Sequence, residues 1–338
     1  MKILVTGGCG FIGSNFIRSI LYNNPNCEIT NIDKLTYAGN KENMKDIEIK
    51  NKDRYKFIEG DICNKRLMDE LVKDSDKIFH FAAESHVDVS INNPFVFTNT
   101  NVTGTHVLLE SAREENYRRK SNGKKDIVFI HISTDEVYGS IKEGSFTEES
   151  CFKPNSPYSA SKAAADHLAR AYHKTYGLPV IITRSSNNFG PYQYPEKVMP
   201  LFITNLIEGK KVPVYGKGNN IRDWIYVIDN CEAIEFISRK GEIGEAYNIG
   251  GGNEKSNMEM TKRLLKAMNK DDSSIEFVQD RLGHDFRYSL DCNKIKALGW
   301  KPRFDFDMAL KETIDWYTSN KNWWKPLKQV LVRKGQIK

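Results

Sequence analysis

In Ser133-Thr134-Asp135-Glu136-Val137-Tyr138-Gly139, two carboxyl groups stand side by side directly after an apolar run. Two like charges in a partly dry cleft push one pKa up, which separates a proton donor from a proton acceptor. The same pair could instead begin a helical turn, with Asp135 as its cap and Glu136 as a first-turn charge. A second pair lies in NSPYSASKAAADHLARAYHKTYG, residues 155–177. Ser156 can cap a helix there, Pro157 suits its first position, and Gly177 with Pro179 ends it. Tyr158 and Lys162 then share one face. A free phenol, with a pKa of about 10, is a poor base at neutral pH, but a nearby ammonium favours the phenolate. Lowering the phenol by about three units takes about 4 kcal/mol, within reach of a lysine together with a second positive charge. Such a tyrosine can take a proton from a hydroxyl while hydride leaves the same carbon.

Hydride needs an acceptor, and VTGGCGFIGSNF, residues 5–16, offers a place for one. Gly7, Gly10 and Gly13 follow an apolar run and open a helical pattern. Gly7 permits a tight turn, Gly10 admits a pyrophosphate close to the backbone, and Gly13 lets the helix approach the sheet. The helix start presents free N–H groups and partial positive charge to that phosphate. Asp33 ends the second apolar run, 20 residues beyond Gly13. It would hydrogen-bond ribose hydroxyls and repel a 2′-phosphate, which favours NAD over NADP; Lys34 beside it weakens that preference. Asp61 and Ile62 could flank the adenine, although Asp61 in GDICNKR reads equally well as a helix cap. FAAES, residues 81–85, brings Ala82, Ala83 and Ser85 to the cofactor.

The elements that must position these groups are legible in outline. Short β-branched runs occur at KILVTG, CEITNID, YKFIEGD, KIFHFAAE, DIVFIHIST and LPVIITRSS, with helical patterns such as NKRLMDELVKD and VTGTHVLLESAREE between them. Alternating strands and helices imply an α/β fold with a doubly wound, mostly parallel sheet of Rossmann type. Residues 1–190 are expected to form this core and to carry the catalytic residues. Residues 191–327 are expected to form a smaller α/β nucleotide-sugar-binding region, with room for some of its elements to interleave with the core. Its helices fall near 197–208, 229–239, 256–269 and 306–318, and its strands near 212–215 and 245–249. Residues 328–338 are expected to be a flexible tail. YGKGNNIRDW and DRLGHDFRY read as polar, aromatic loops, and Trp323 and Trp324 as packing residues.

Composition narrows the classes. Of 338 residues, 39% are hydrophobic and 28% charged, with net charge +6, which is ordinary globular usage. The densest basic stretch, YRRKSNGKK at 117–125, has no interleaved aromatics and reads as a solvated loop, not a nucleic-acid patch. Cysteines 9, 27, 63, 151, 231 and 292 have neither metal nor disulfide spacing. The start MKILVTGG is too short in apolar residues for a signal peptide, and no run spans a bilayer. A soluble, cytoplasmic protein without membrane or nucleic-acid partners is expected.

The glycine turn with Tyr158 and Lys162 resembles the extended short-chain dehydrogenase/reductases that act on nucleotide sugars. STDEVYG, AAESHVD, NNFGPYQYPEK, YGKGNNIRDWIYV and DRLGHDFRY are similar to the 4,6-dehydratases among them that take dTDP-glucose. The resemblance runs over residues 1–327; Cys9 stands where alanine is usual and Leu282 where proline is common. It implies an internal redox cycle, as in dTDP-L-rhamnose or other deoxysugar biosynthesis: oxidation at carbon 4 with NAD, loss of water across carbons 5 and 6, and hydride return to carbon 6. Tyr158 would be the base at the 4-hydroxyl, Thr134 its hydrogen-bonding partner there, and Lys162 the ribose holder that tunes Tyr158. Glu136 would remove the carbon 5 proton and Asp135 would protonate the leaving hydroxyl. Phe11, Ile12, Thr36 and Thr100 join the implied cofactor contacts. Ser85, His86, Thr134, Asn187, Lys197, Val198, Pro213, Tyr215, Arg222, Asn257, Arg281, His284 and Tyr288 make up the implied substrate site. His86 could equally be a satisfied structural histidine. The resemblance also implies a homodimer paired through helices near 100–115 and 157–176. The alternatives are a nucleotide-sugar 4-epimerase, a dehydratase for another nucleotide hexose, and a non-catalytic NAD-sensing protein. The first would not need Asp135 and Glu136, and the last would have lost its catalytic set.

Overall fold

The computed structural model describes residues 1–280, 285–333 and 337. The six β-branched runs form strands β1 (Lys2–Thr6), β2 (Glu28–Asp33), β3 (Tyr55–Glu59), β4 (Lys77–His80), β5 (Val128–Thr134) and β6 (Val180–Ser185). Three short strands follow: β7 (Asn187–Phe189), β8 (Val212–Tyr215) and β9 (Ile221–Tyr226). The last are β10 (Ala246–Ile249), β11 (Glu254–Ser256) and β12 (Ile275–Val278). The large sheet has the order β10-β6-β5-β4-β1-β2-β3, with every pair parallel. Phe129–Ser133 of β5 are all buried, as both faces of a helix-covered parallel sheet require. The strand order reverses between β1 and β4, and ligands bind such sheets at the carboxyl ends beside that point. Thr134 therefore ends its strand next to the expected cofactor crevice.

The second half is less separate than the sequence suggests. β7, β9 and β11 form a small mixed sheet, and β8 pairs in parallel with β12. β10, however, returns to the edge of the large sheet, with Ala246 opposite Ile182. The helix Val227–Lys240 buries Cys231, Ile234 and Ile237 in the same core as Phe16 and Ile17. A cut at residue 190 therefore divides one hydrophobic core. YGKGNNIRDW is not all loop either, since Arg222 lies within β9.

Two further expectations are corrected. The helix Thr105–Ser121 runs into the basic stretch, and Arg119 is buried, donating to the carbonyls of Lys73 and Ser75 at 2.9 Å each. Arg119 holds carbonyl groups that would otherwise be orphaned, so it is part of the scaffold. Residues 328–333, expected to belong to a flexible tail, are helical. The helix Lys321–Arg333 buries Trp324, Lys328 and Leu331. Among the described residues no helix is long and apolar enough to cross a membrane.

Candidate active site

The cofactor half is built mainly from backbone. Gly7 has φ +73°, and a Cβ there would lie 2.6 Å from the Ala82 backbone; one on Gly13 would lie 2.4 Å from the Gly7 carbonyl oxygen. The helix Phe11–Asn23 starts at Gly10 with no side-chain cap and no acidic residue in its first turn. Its first N–H groups and positive end are thus left for an anion. Gly7, Gly10, Phe11, Ile12, Gly13, Asp33, Lys34, Thr36, Asp61, Ile62, Ala82, Ala83, Ser85, Thr100, Tyr158 and Lys162 all line one cavity. Asp33 accepts the N–H groups of Leu35 and Cys9 at 2.8 and 2.9 Å, which fixes its carboxylate at the cavity wall. Asp61 is not a helix cap; Asn64 caps the helix Lys65–Lys73. Burial pushes Asp61 up, but Lys34, 2.7 Å away, and the Cys63 N–H more than offset this and hold it below the usual carboxylate value.

At the end of β5 the motif folds as a 3₁₀ turn, Asp135–Tyr138. Its cap is Thr134, whose hydroxyl accepts from the Glu136 N–H at 3.3 Å and donates to Asp135 Oδ1 at 3.2 Å. Gly139 closes the turn at φ +83°, where a Cβ would meet the Lys153 carbonyl oxygen at 2.2 Å. Asp135 is thus freed from the capping role. Its side chain is buried, and Oδ2 makes no hydrogen bond. Burial, then Glu136, push Asp135 well above the usual carboxylate value; Asp223 adds to this, while Arg222 and the Thr134 hydroxyl oppose it. A buried carboxyl shifted in this direction favours its protonated form. Glu136 lines the second cavity and accepts from the Ser159 hydroxyl at 3.1 Å.

The helix Pro157–Tyr176 has the expected Ser156 cap, Pro157 start and left-handed Gly177 end. Lys162 Nζ donates to the Ile132 carbonyl at 2.7 Å, and burial brings its pKa down to about 8. Tyr158 is hydrogen-bonded to Thr134, yet its phenol moves opposite to expectation. Burial, then Glu136, push it well above the ordinary tyrosine value. Thr134, Asp135 and Glu136 thus meet Tyr158 at the end of β5, with Lys162 one turn further along the helix.

The second cavity adjoins the first and shares Ser85, Gln193, Glu196 and Lys197 with it. His86, Asn187, Val198, Pro213, Tyr215, Arg222 and Asn257 line it too. Val198, Leu201, Phe202 and Asn205 present one face of the helix Val198–Ile207 to it. Neither Thr134 nor Asp135 lines either cavity: Thr134 touches the site through Tyr158, and Asp135 is buried beside Glu136, which does line the second. Tyr288 also lies behind the wall, where its ring supports the Arg222 guanidinium at 4.3 Å. Arg222 donates to the carbonyls of Ile221 and Asp285 at 2.7 and 2.9 Å, so backbone oxygens fix it. Arg281 and His284 lie outside the described residues.

Sequence reasoning missed Gln193 and Glu196. Glu196 is 2% exposed in its side chain, faces His86 Nε2 at 3.2 Å and Lys197 Nζ at 3.7 Å, and forms no hydrogen bond. Ser133, Asn187, Asn188, Gln193 and Trp224 also bring buried polar atoms without hydrogen bonds to the cavity walls. Buried polar groups are normally satisfied, so such a cluster fits a ligand rich in hydroxyls. Only a charged residue beside aromatics in NNFGPYQYPEK hinted at Glu196.

A family profile described as GDP-mannose 4,6 dehydratase matches residues 4–313. The dTDP-glucose 4,6-dehydratase of Streptomyces niveus is 50% identical over 334 residues, covering 97% of this chain and 96% of its own. The crystal structure of the Streptomyces venezuelae dTDP-glucose 4,6-dehydratase DesIV, solved with NAD bound, has a TM-score of 0.91. It is 49% identical and covers 97% of this chain and 100% of its own. The UDP-glucose 4-epimerase of Thermotoga maritima shares the fold at a TM-score of 0.85 but only 29% identity, covering 95% of this chain and 100% of its own.

Proposed function

This chain belongs to the GDP-mannose 4,6 dehydratase family, and on that footing we propose that it is a dTDP-glucose 4,6-dehydratase, a hydro-lyase that uses NAD as a bound catalyst. The observation that carries the reading is Asp135, a buried carboxyl pushed well above its usual value beside Glu136, with Tyr158 in reach of both through Thr134. The glycine cradle, the uncapped helix start and Asp33 fit a dinucleotide. When bound, NAD supplies reversible hydride acceptance, first from carbon 4 and then back to carbon 6.

The chain's own groups handle the protons. Tyr158 removes the proton of the 4-hydroxyl, and Thr134 holds Tyr158 and Asp135 from behind the cavity wall. A phenol pushed up by burial needs positive charge beside it, and Lys162 is the chain's cation one helical turn away. A ketone at carbon 4 acidifies the carbon 5 proton, which Glu136 takes. Asp135 gives its proton to the 6-hydroxyl, which departs as water. Glu136 then returns its proton to carbon 5. A 4-epimerase needs the first step alone and has no use for the proton held on Asp135. Arg222, Lys197, Asn257 and Tyr215 line the outer cavity, where diphosphate and thymine are expected.

The product, dTDP-4-dehydro-6-deoxyglucose, suits deoxysugar biosynthesis such as that of dTDP-L-rhamnose. A homodimer is part of the reading, supported by exposed Ile91, Phe95, Tyr117 and Tyr176 on or beside the helices Thr105–Ser121 and Pro157–Tyr176. Incubation with dTDP-glucose in deuterated water, with UDP- and GDP-sugars alongside, tests the activity. The expected product is the 4-keto-6-deoxy sugar with deuterium at carbon 5. An epimerised sugar without loss of water, or no turnover of dTDP-glucose, would overturn it.

A further inference from the structure

Lys328 lies beyond residue 313, where the family match ends, yet its side chain is 3% exposed. Burying an ammonium is costly unless it is paired and hydrogen-bonded. Here Nζ donates to Asn205 Oδ1 at 2.7 Å and Glu208 Oε2 at 2.8 Å. The carboxylate alone would neutralise the charge. The carboxamide is the informative partner, because Asn205 lines the outer cavity. Asn205 Nδ2 in turn donates to the Lys211 carbonyl at 2.8 Å, immediately before β8. Lys211 and the β8 residues Pro213, Val214 and Tyr215 line the same cavity. One amide thus ties three segments: the last helix, the helix Val198–Ile207 and the wall strand β8. The last helix is itself anchored, since Trp324 is fully buried and its Nε1 donates to the Tyr317 carbonyl at 2.8 Å.

We infer that Lys328 is a positioning residue for the nucleotide end of the substrate cavity, acting through Asn205 on β8. The identity of the ligand rests on the dehydratase reading; the tether does not. Lys328 fixes which way the Asn205 amide faces, since its oxygen must meet the ammonium and its nitrogen must meet Lys211. Without Lys328 the amide can turn over, and the segment leading into β8 keeps only backbone bonds to the helix Val198–Ile207, such as Lys210 N–H to the Asn205 carbonyl at 2.8 Å. Lys328 is remote from the reacting carbons, so its loss should weaken binding of ground state and transition state alike, raising KM and sparing kcat.

Lys328→Met keeps the stem against Trp324 and removes the donors. Its KM for dTDP-glucose and its Kd for dTDP, measured by calorimetry, should rise about tenfold while kcat stays within about twofold. Lys328→Met in an Asn205→Ala background should add almost nothing further, because the two act as a unit. Unchanged KM in a folded Lys328→Met protein would overturn the inference, as would a fall in kcat at constant KM or fully additive effects with Asn205→Ala. Should Lys328→Met fail to fold, Asn205→Asp keeps the Lys328 pair but cannot donate to Lys211. It should raise KM alike, and wild-type KM there would also overturn the inference. Wild type is first offered dTDP-, UDP- and GDP-sugars. Consumption of another sugar nucleotide removes the dTDP reading alone, and the variants are then compared on that substrate. Consumption of none removes the dehydratase reading, and the inference then stands or falls on the Kd for dTDP alone.

Discussion

The two cavities that meet at Ser85, Gln193, Glu196 and Lys197 are made in different ways. The cofactor cavity is walled by the turns that follow β1, β2, β3 and β4, and much of its surface is backbone held by close contacts such as that of Gly7 with Ala82. The sugar cavity is walled by side chains from β7, β8, β9, β12 and three helices, and several of its buried polar atoms lack hydrogen bonds. A backbone wall is rigid and tolerates no added atom. A side-chain wall is adaptable and takes its chemistry from each residue. Damage to the first should abolish cofactor binding; damage to the second should separate binding from chemistry.

The sharpest break of that comparison is Glu136→Gln. Turnover should fall by about 10³-fold, the scale of a lost general base, while oxidation at carbon 4 remains visible as reduced cofactor. Full turnover in this variant would remove Glu136 as the base. On the cofactor side, Gly13→Ala places a methyl 2.4 Å from the Gly7 carbonyl oxygen. NAD affinity should drop about tenfold or more, as expected for 1–3 kcal/mol of overpacking. Wild-type affinity by fluorescence titration would mean that the cradle is not rigid.

A smaller effect sharpens the border between the halves. Lys162 is charged below its pKa of about 8 and neutral above it. The rate measured as kcat/KM should therefore decline on the alkaline side near pH 8, as the ammonium beside Tyr158 is lost. Lys162→Arg, which cannot lose its charge in this range, should move that limb upward whatever its absolute rate. A limb that stays in place would show that Lys162 does not set it.

Much of the cofactor half was legible because its signals are local. A strand, three glycines at fixed spacing and a helix start lie within residues 2–23, and Tyr158 with Lys162 requires only helical periodicity. Burial is what the local signals do not carry. Lys162 with a second positive charge was expected to lower Tyr158, and withdrawal from water pushes the phenol the other way. The tail and the basic loop were misjudged for a related reason. Lys328 and Arg119 look like solvated charges in a linear reading, and only partners distant in sequence make their burial tolerable.

By itself the sequence determined the strand–helix alternation, the glycine cradle, the Tyr158–Lys162 face and the presence of two adjacent carboxyls after β5. These follow from spacing along a few turns or one strand, where backbone geometry leaves little choice. Only the tertiary structure decided that Thr134, not Asp135, caps the turn, and that Asp135 is buried with its carboxyl pushed upward. It also decided that β10 completes the first sheet, that Glu196 stands between the two cavities, and that Lys328 reaches Asn205, 123 positions away. The physical reason is the same in each case. Protonation state and cavity shape depend on what is withdrawn from water and on which groups meet there, and those meetings come from chain segments far apart in the sequence.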